Sequence, residues 1–125
     1  MKNHGVEDPF LLYLAYQSPH TPLAVDLNYL ELYPNETDVS RKTYLTMVSS
    51  TDDSIGRIVE NMKRFVYTQD GREKTLFDDT IFIFSSDNGG MSQGLGYGGA
   101  SNKPFRGRKG STWVAGLQHS LPTLI

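Results

Sequence analysis

The apolar positions of the chain fall into three blocks. The first, Phe10-Leu11-Leu12-Tyr13-Leu14-Ala15-Tyr16, is an unbroken run that follows Pro9 and stops at Gln17-Ser18-Pro19. A short uninterrupted run of this kind suits a strand covered on both faces, as in a parallel sheet. Beyond a loop punctuated by Pro22 and Pro34, the residues Tyr44, Val48, Ile55, Ile58, Val59, Met62 and Phe65 recur at spacings of three, four and seven. That stripe predicts an amphipathic helix, with Asp38 or Ser40 as its N-cap. Asp52 falls on the stripe, so its carboxylate has to find a partner or turn outward at the helix edge, a structural role. Gln69-Asp70-Gly71 marks a turn. The third block, Thr80-Ile81-Phe82-Ile83-Phe84, reads as a second strand and ends in Ser85-Ser86-Asp87-Asn88-Gly89-Gly90.

Strand, helix, strand predicts an α/β fold in which a crossover helix joins two parallel strands in the right-handed sense. Both strands then run the same way, and the segments after them, 17–22 and 85–90, emerge at one carboxyl edge, where open α/β sheets bind ligands. His20 and the Asp87-Asn88 pair are therefore expected to share a site. Between Gly89 and Gly110 the chain is rich in glycine, with Gly94-Leu95-Gly96-Tyr97-Gly98-Gly99 at its middle. This predicts a long active-site loop or a mobile segment. No internal repeat is present, and residues 1–125 read as one domain.

Composition narrows the function classes. A net charge of -2 speaks against a dedicated nucleic-acid binder. No apolar run approaches the ~20 residues of a membrane span, and Met1-Lys2-Asn3-His4-Gly5 lacks the apolar core of a signal peptide. The chain has no cysteine, which removes disulfides, thiolate metal sites and cysteine nucleophiles together. Asn35-Glu36-Thr37 is a sequon, a glycan acceptor if the protein enters the endoplasmic reticulum.

Three places carry candidate chemistry. Asp87 and Asn88 offer a carboxylate and an amide oxygen to a hard cation at a strand end, although Asp-Asn-Gly-Gly is equally turn chemistry. Lys103-Pro104-Phe105-Arg106-Gly107-Arg108-Lys109 holds four cations in seven positions. A solvated basic loop is the ordinary reading of such a segment, and an oxyanion site is the functional one, with arginine suited to bidentate contacts and lysine to a point charge. His20 lies between prolines in Ser18-Pro19-His20-Thr21-Pro22, a rigid loop that would aim the imidazole as a proton donor or anion ligand. His4 and His119 carry no such context.

Taken in order, 10–15 with 17–22, then 82–90, then 104–109, these phrases closely resemble those of the sulfatase family, in particular its arylsulfatase B-like members. Tyr44-Leu45-Thr46-Met47-Val48-Ser49 with Asp52 and Gly56 is similar too, so the resemblance covers about residues 9–113. It implies a partial alkaline-phosphatase-like fold and hydrolysis of sulfuric esters, with calcium holding the sulfate oxygens. Carried over by motif, Asp87 and Asn88 would be metal ligands, His20 would contact the sulfate and the leaving oxygen, and Lys109 would bind the sulfate. Arg106 and Arg108 are assigned to loop structure. The family implies a sulfated small molecule or glycosaminoglycan-type substrate and a lysosomal or secreted location.

The sequence departs from the family pattern in several places. The family's nucleophile is a formylglycine made within a Cys-x-Pro-Ser-Arg-type motif, and neither that motif nor a serine equivalent is present. The paired aspartates that complete the family's metal site are also missing. The pattern Trp-Glu-Gly-Gly-Val-Arg stands here as Trp113-Val114-Ala115-Gly116-Leu117-Gln118, so 114–125 reads as a divergent tail. An internal sulfatase fragment, inactive alone and binding calcium weakly at most, is the expectation. A phosphatase or phosphodiesterase of the same superfamily, or a non-catalytic calcium or sulfated-glycan binding fragment, are the alternatives.

Overall fold

The computed structural model describes residues 8–92, 98–117 and 123–124. The middle of the glycine-rich segment, 93–97, lies outside them, as do His4 and His119. The element order is a 3-10 helix (Leu27–Leu32), α1 (Val39–Arg64), β1 (Val66–Gln69), β2 (Arg72–Thr75), β3 (Ile83–Phe84), α2 (Val114–Leu117) and β4 (Thr123–Leu124).

Helix α1 is the spine. Asp38 caps it, its carboxylate accepting from Arg41 N at 2.7 Å, so of the two sequence candidates Asp38 is the cap. Lys63 and Arg64 occupy the last turn, where positive charge opposes the negative end of the helix dipole. Asp52 is exposed and points outward. The chain before the helix is laced along it by polar contacts. Tyr16 Oη meets Ser54 Oγ at 2.9 Å, and Ser18 Oγ donates to Met47 O at 3.2 Å. Asp26 N donates to Thr46 Oγ1 at 3.3 Å, Tyr29 Oη donates to Asp53 at 3.0 Å, and Tyr33 Oη meets Ser49 Oγ at 2.5 Å. Thr46 is fully buried, and its hydroxyl also donates to Thr43 O at 2.8 Å, which leaves it satisfied.

The turn at Asp70-Gly71 closes a hairpin. Both residues take left-handed φ values, +51° and +74°, as a two-residue turn between right-twisted strands demands. Strands β1 and β2 pair antiparallel from Val66↔Thr75 to Gln69↔Arg72. The hairpin is followed by a polar knot in which Asp79 accepts from the Tyr67 hydroxyl and from Lys74 Nζ, the latter at 3.0 Å. Those two donors hold the Asp79 carboxyl below the usual carboxylate range, Tyr67 contributing most. A group depressed in the folded state stabilises fully above its ordinary value of 3.8 and loses that contribution as pH falls through the lower folded value. Asp78, which accepts from Thr75 N and Oγ1, is depressed in the same way, so we expect the β1–β2 amide resonances to titrate below that ordinary value, and Asp79→Asn to remove the part of the transition felt at Tyr67 and Lys74 while leaving the part at Thr75. A wild-type midpoint at or above the ordinary value would refute the account.

The sheet differs from the expectation. Residues 10–16 form no strand, and the second apolar run contributes only Ile83 and Phe84, which pair antiparallel with Leu124 and Thr123. Parallel pairing among the described residues is confined to the isolated bridge Ser92↔Ala100. The physical reason is the want of a neighbour. A strand exists through its ladder, and the runs that were to form the sheet stand in the open, with Leu11 96% and Ile81 73% exposed. The crossover helix is present between them, and the hairpin extends the return path.

Candidate functional site

The site is built where β3 runs out. Ser86 Oγ donates to Asn88 O at 2.7 Å, folding 86–88 into a bend that leaves Asp87 exposed and Asn88 half-buried. Gly89 and Gly90 follow because nothing larger fits. A β-carbon on Gly89 would overlap the Ala115 carbonyl, and one on Gly90 would overlap Ala100 Cβ. The returning chain is drawn against these glycines. Ala100 N donates to Met91 O at 3.2 Å and Lys109 N donates to Gly90 O at 3.2 Å. The second of these brings the Lys109 backbone to the glycines that follow Asp87 and Asn88.

The basic loop has a defined shape. Gly107 and Gly110, on either side of Lys109, adopt φ values of +106° and +79°, which favour glycine. Ser111 closes the turn, accepting from Arg108 N at 3.1 Å and donating to Arg108 O at 2.8 Å. The Arg106 guanidinium lies 3.6 Å above the Trp113 ring, and Ala115 N donates to Arg106 O at 3.0 Å. Arg106 and Arg108 thus serve loop structure, one by stacking and one through its backbone. Among the described residues, no hydrogen bond or ion pair uses the side chains of Asp87, Asn88 or Lys109; Asp87 is exposed, and Asn88 and Lys109 are half-buried.

His20 is held differently. Its ring Nδ1 lies 2.7 Å from Thr21 O, its backbone N–H donates to Gln17 O at 2.9 Å, and the residue is exposed. No hydrogen bond among the described residues joins it to Asp87, Asn88 or Lys109. The two loops share a support instead. Ser18 is bonded to Met47 on α1, and one to two helical turns earlier Gly99 rests on Ser40, Arg41 and Tyr44, with Arg41 donating to Gly99 O at 2.5 Å. Burial raises the Tyr44 hydroxyl above its ordinary range, and Arg41 opposes that shift.

Asn102 is the residue that the sequence did not reveal. Its carboxamide Oδ1 accepts from Gly90 N and its Nδ2 donates to Gly90 O, both at 2.8 Å. An asparagine in a glycine-rich loop reads as turn chemistry, and the glycines at 89 and 90 were the available sign that something must approach closely. Asn35 lies in the exposed turn before α1, where a glycan has room.

Oxygen donors of the Asp87 and Asn88 type suit calcium, but the ion takes about six to eight of them. Among the described residues no cluster of three or more histidines or carboxylates gathers to complete such a set. Within the described residues, then, the donors fit a part of a calcium site and not a whole one.

The whole chain, residues 1–125, matches the Sulfatase family model. The protein belongs to the sulfatase family. It is 33% identical over 118 residues to arylsulfatase J of Mus musculus, covering 94% of this chain and 18% of that protein. It is 29% identical over 118 residues to N-acetylgalactosamine-6-sulfatase of Homo sapiens, covering 94% of this chain and 20% of that protein. Among solved structures it resembles Ps i-CgsB in complex with k-i-k-neocarrahexaose, with a TM-score of 0.76 and 38% identity over 94% of this chain and 23% of that one. The likeness supports a partial alkaline-phosphatase-like fold, and the chain spans about a fifth of the length of these relatives. No helix among the described residues is long and apolar enough to cross a membrane.

Proposed function

We propose that this chain supplies one wall of the sulfate site of a sulfuric ester hydrolase acting on a sulfated glycan, and that it is inactive by itself. The observation that supports the reading is the Lys109 N to Gly90 O bond, which draws the backbone of the basic loop against the glycines that follow Asp87 and Asn88. In this reading the Lys109 ammonium binds the sulfate oxygens, and His20 Nε2 protonates the departing alcohol oxygen as its bond to sulfur breaks. Asp87 and Asn88 would be two of the calcium ligands, and calcium, when bound, would hold the sulfate oxygens as a Lewis acid. Water enters overall, so that ester and water give alcohol and sulfate. The sequence holds no formylglycine precursor, so the nucleophile has to come from residues outside these 125.

The sulfated glycan is suggested by the carbohydrate in the Ps i-CgsB complex. The exposed sequon at Asn35 suits a glycoprotein made in the secretory pathway, hence lysosomal or secreted. The test is to assay the protein in its longest natural form on a chromogenic aryl sulfate, the matching aryl phosphate and a sulfated oligosaccharide, with the 125-residue chain in parallel. Release of sulfate by the long form alone is expected. Turnover of the phosphate ester only would replace the reading with a phosphatase, and glycan binding without turnover by the long form would make it a binding protein.

A further inference from the structure

We propose that Asn102 is a positioning residue of this site, its carboxamide clamping Lys109 beside the Asp87-Asn88 strand end; the sulfate role of Lys109 is taken from the reading above. The carboxamide does for Gly90 what a neighbouring strand would do, presenting an acceptor to its N–H and a donor to its carbonyl, each at 2.8 Å. Nδ2 also reaches Gly107 O at 3.4 Å. Gly90 O accepts a further bond from Lys109 N at 3.2 Å. One side chain therefore ties a residue just after Asp87 to one just before Lys109. The clamp is itself fixed, because Phe105 N donates to Asn102 O at 2.8 Å and closes the turn that follows.

Neither partner has freedom to compensate. Gly89 and Gly90 are pressed on Ala115 and Ala100, so the strand end cannot slide toward a lost bond. Asn102 is half-buried, where a donor or acceptor left unpaired costs more than the bond itself contributes. Aspartate at this position keeps the acceptor for Gly90 N–H but loses the donor, and alanine loses both.

Two measurements test the clamp. Amide hydrogen exchange at Gly90 and Lys109 and a kinetic double-mutant cycle of Asn102→Ala with Lys109→Ala are both run in the long form. In Asn102→Ala, exchange at both amides should quicken about tenfold, the scale of one buried hydrogen bond, while the amides in the middle of α1 keep their rates. Its loss of kcat/KM should vanish when Lys109 is already alanine, because the two residues act through one contact. Asn102→Asp should fall between wild type and alanine in both readouts, and carries the comparison if the alanine variant does not fold. Unchanged exchange at Lys109, or kinetic losses that simply multiply, would overturn the proposal. Quickened exchange together with no kinetic effect of Lys109→Ala would support the clamp and overturn the sulfate role of Lys109.

Discussion

Replacing Lys109 with alanine in the long form of the protein should lower kcat/KM for a sulfate ester by about 10²–10³-fold, the usual effect of deleting one preorganised charge from a transition-state site. The size of the effect follows from where the loop leaves the residue. Glycines of left-handed φ at 107 and 110 fix the backbone on either side, and the Gly90 carbonyl holds its N–H. With its backbone held there, the side chain has less conformational space to search on its way to a bound sulfate, and its removal takes away a charge that is partly preorganised. Arginine should restore only part of the loss, since its planar fork spreads the charge and needs more room than a compact ammonium. Steady-state kinetics on Lys109→Ala, Lys109→Arg and wild type decide the matter, and a fall of less than about threefold in the alanine variant would remove Lys109 from the site.

The 125-residue chain, prepared alone, should self-associate, and Leu11→Lys with Ile81→Lys should convert it to a monomer on a sizing column. Leu11 is 96% exposed, Tyr13 88%, Ile81 73% and Ile83 69%. These are runs with the apolar content of buried strands, the first without a ladder and the second laddered only at Ile83 and Phe84, and open apolar edges recruit other chains. A lysine in each run adds charge where another strand would have to pair. A monomeric wild-type chain with a sharp cooperative melt would contradict this.

How much of this was legible in the sequence varies with the range of the interactions. Helix α1 was, because a stripe at three, four and seven is local, and so was a polar N-cap, Asp38 being one of two candidates. That Asp87, Asn88 and Lys109 belong to one site is implied by family likeness and not by spacing; the return of the Lys109 backbone to Gly90 is a long-range contact that no local pattern marks. The hairpin was read only as a turn, although Asp70-Gly71 between residues such as Val66, Tyr67 and Thr75 is hairpin chemistry. The antiparallel pairing of Ile83 and Phe84 with Thr123 and Leu124 was not legible, because strand partners are chosen across the fold and no local pattern marks the last residues as a strand. Asn102 escaped for a related reason. Its role depends on a carboxamide standing in for a strand, and nothing in its immediate neighbours marks that substitution.

The lacing of residues 16–33 along α1 bears on how the molecule comes apart. Buried apolar side chains among the described residues are Met62, Ala100 and Ala115, well separated along the chain. The tyrosine and serine contacts of the leading segment and the Arg41 to Gly99 bond at the helix start are thus separate fastenings on one rod. Releasing one does little to loosen the next. Such a molecule opens segment by segment, and its His20 loop and its Lys109 loop keep independent lifetimes, each set by its own few bonds to the helix or the strand end.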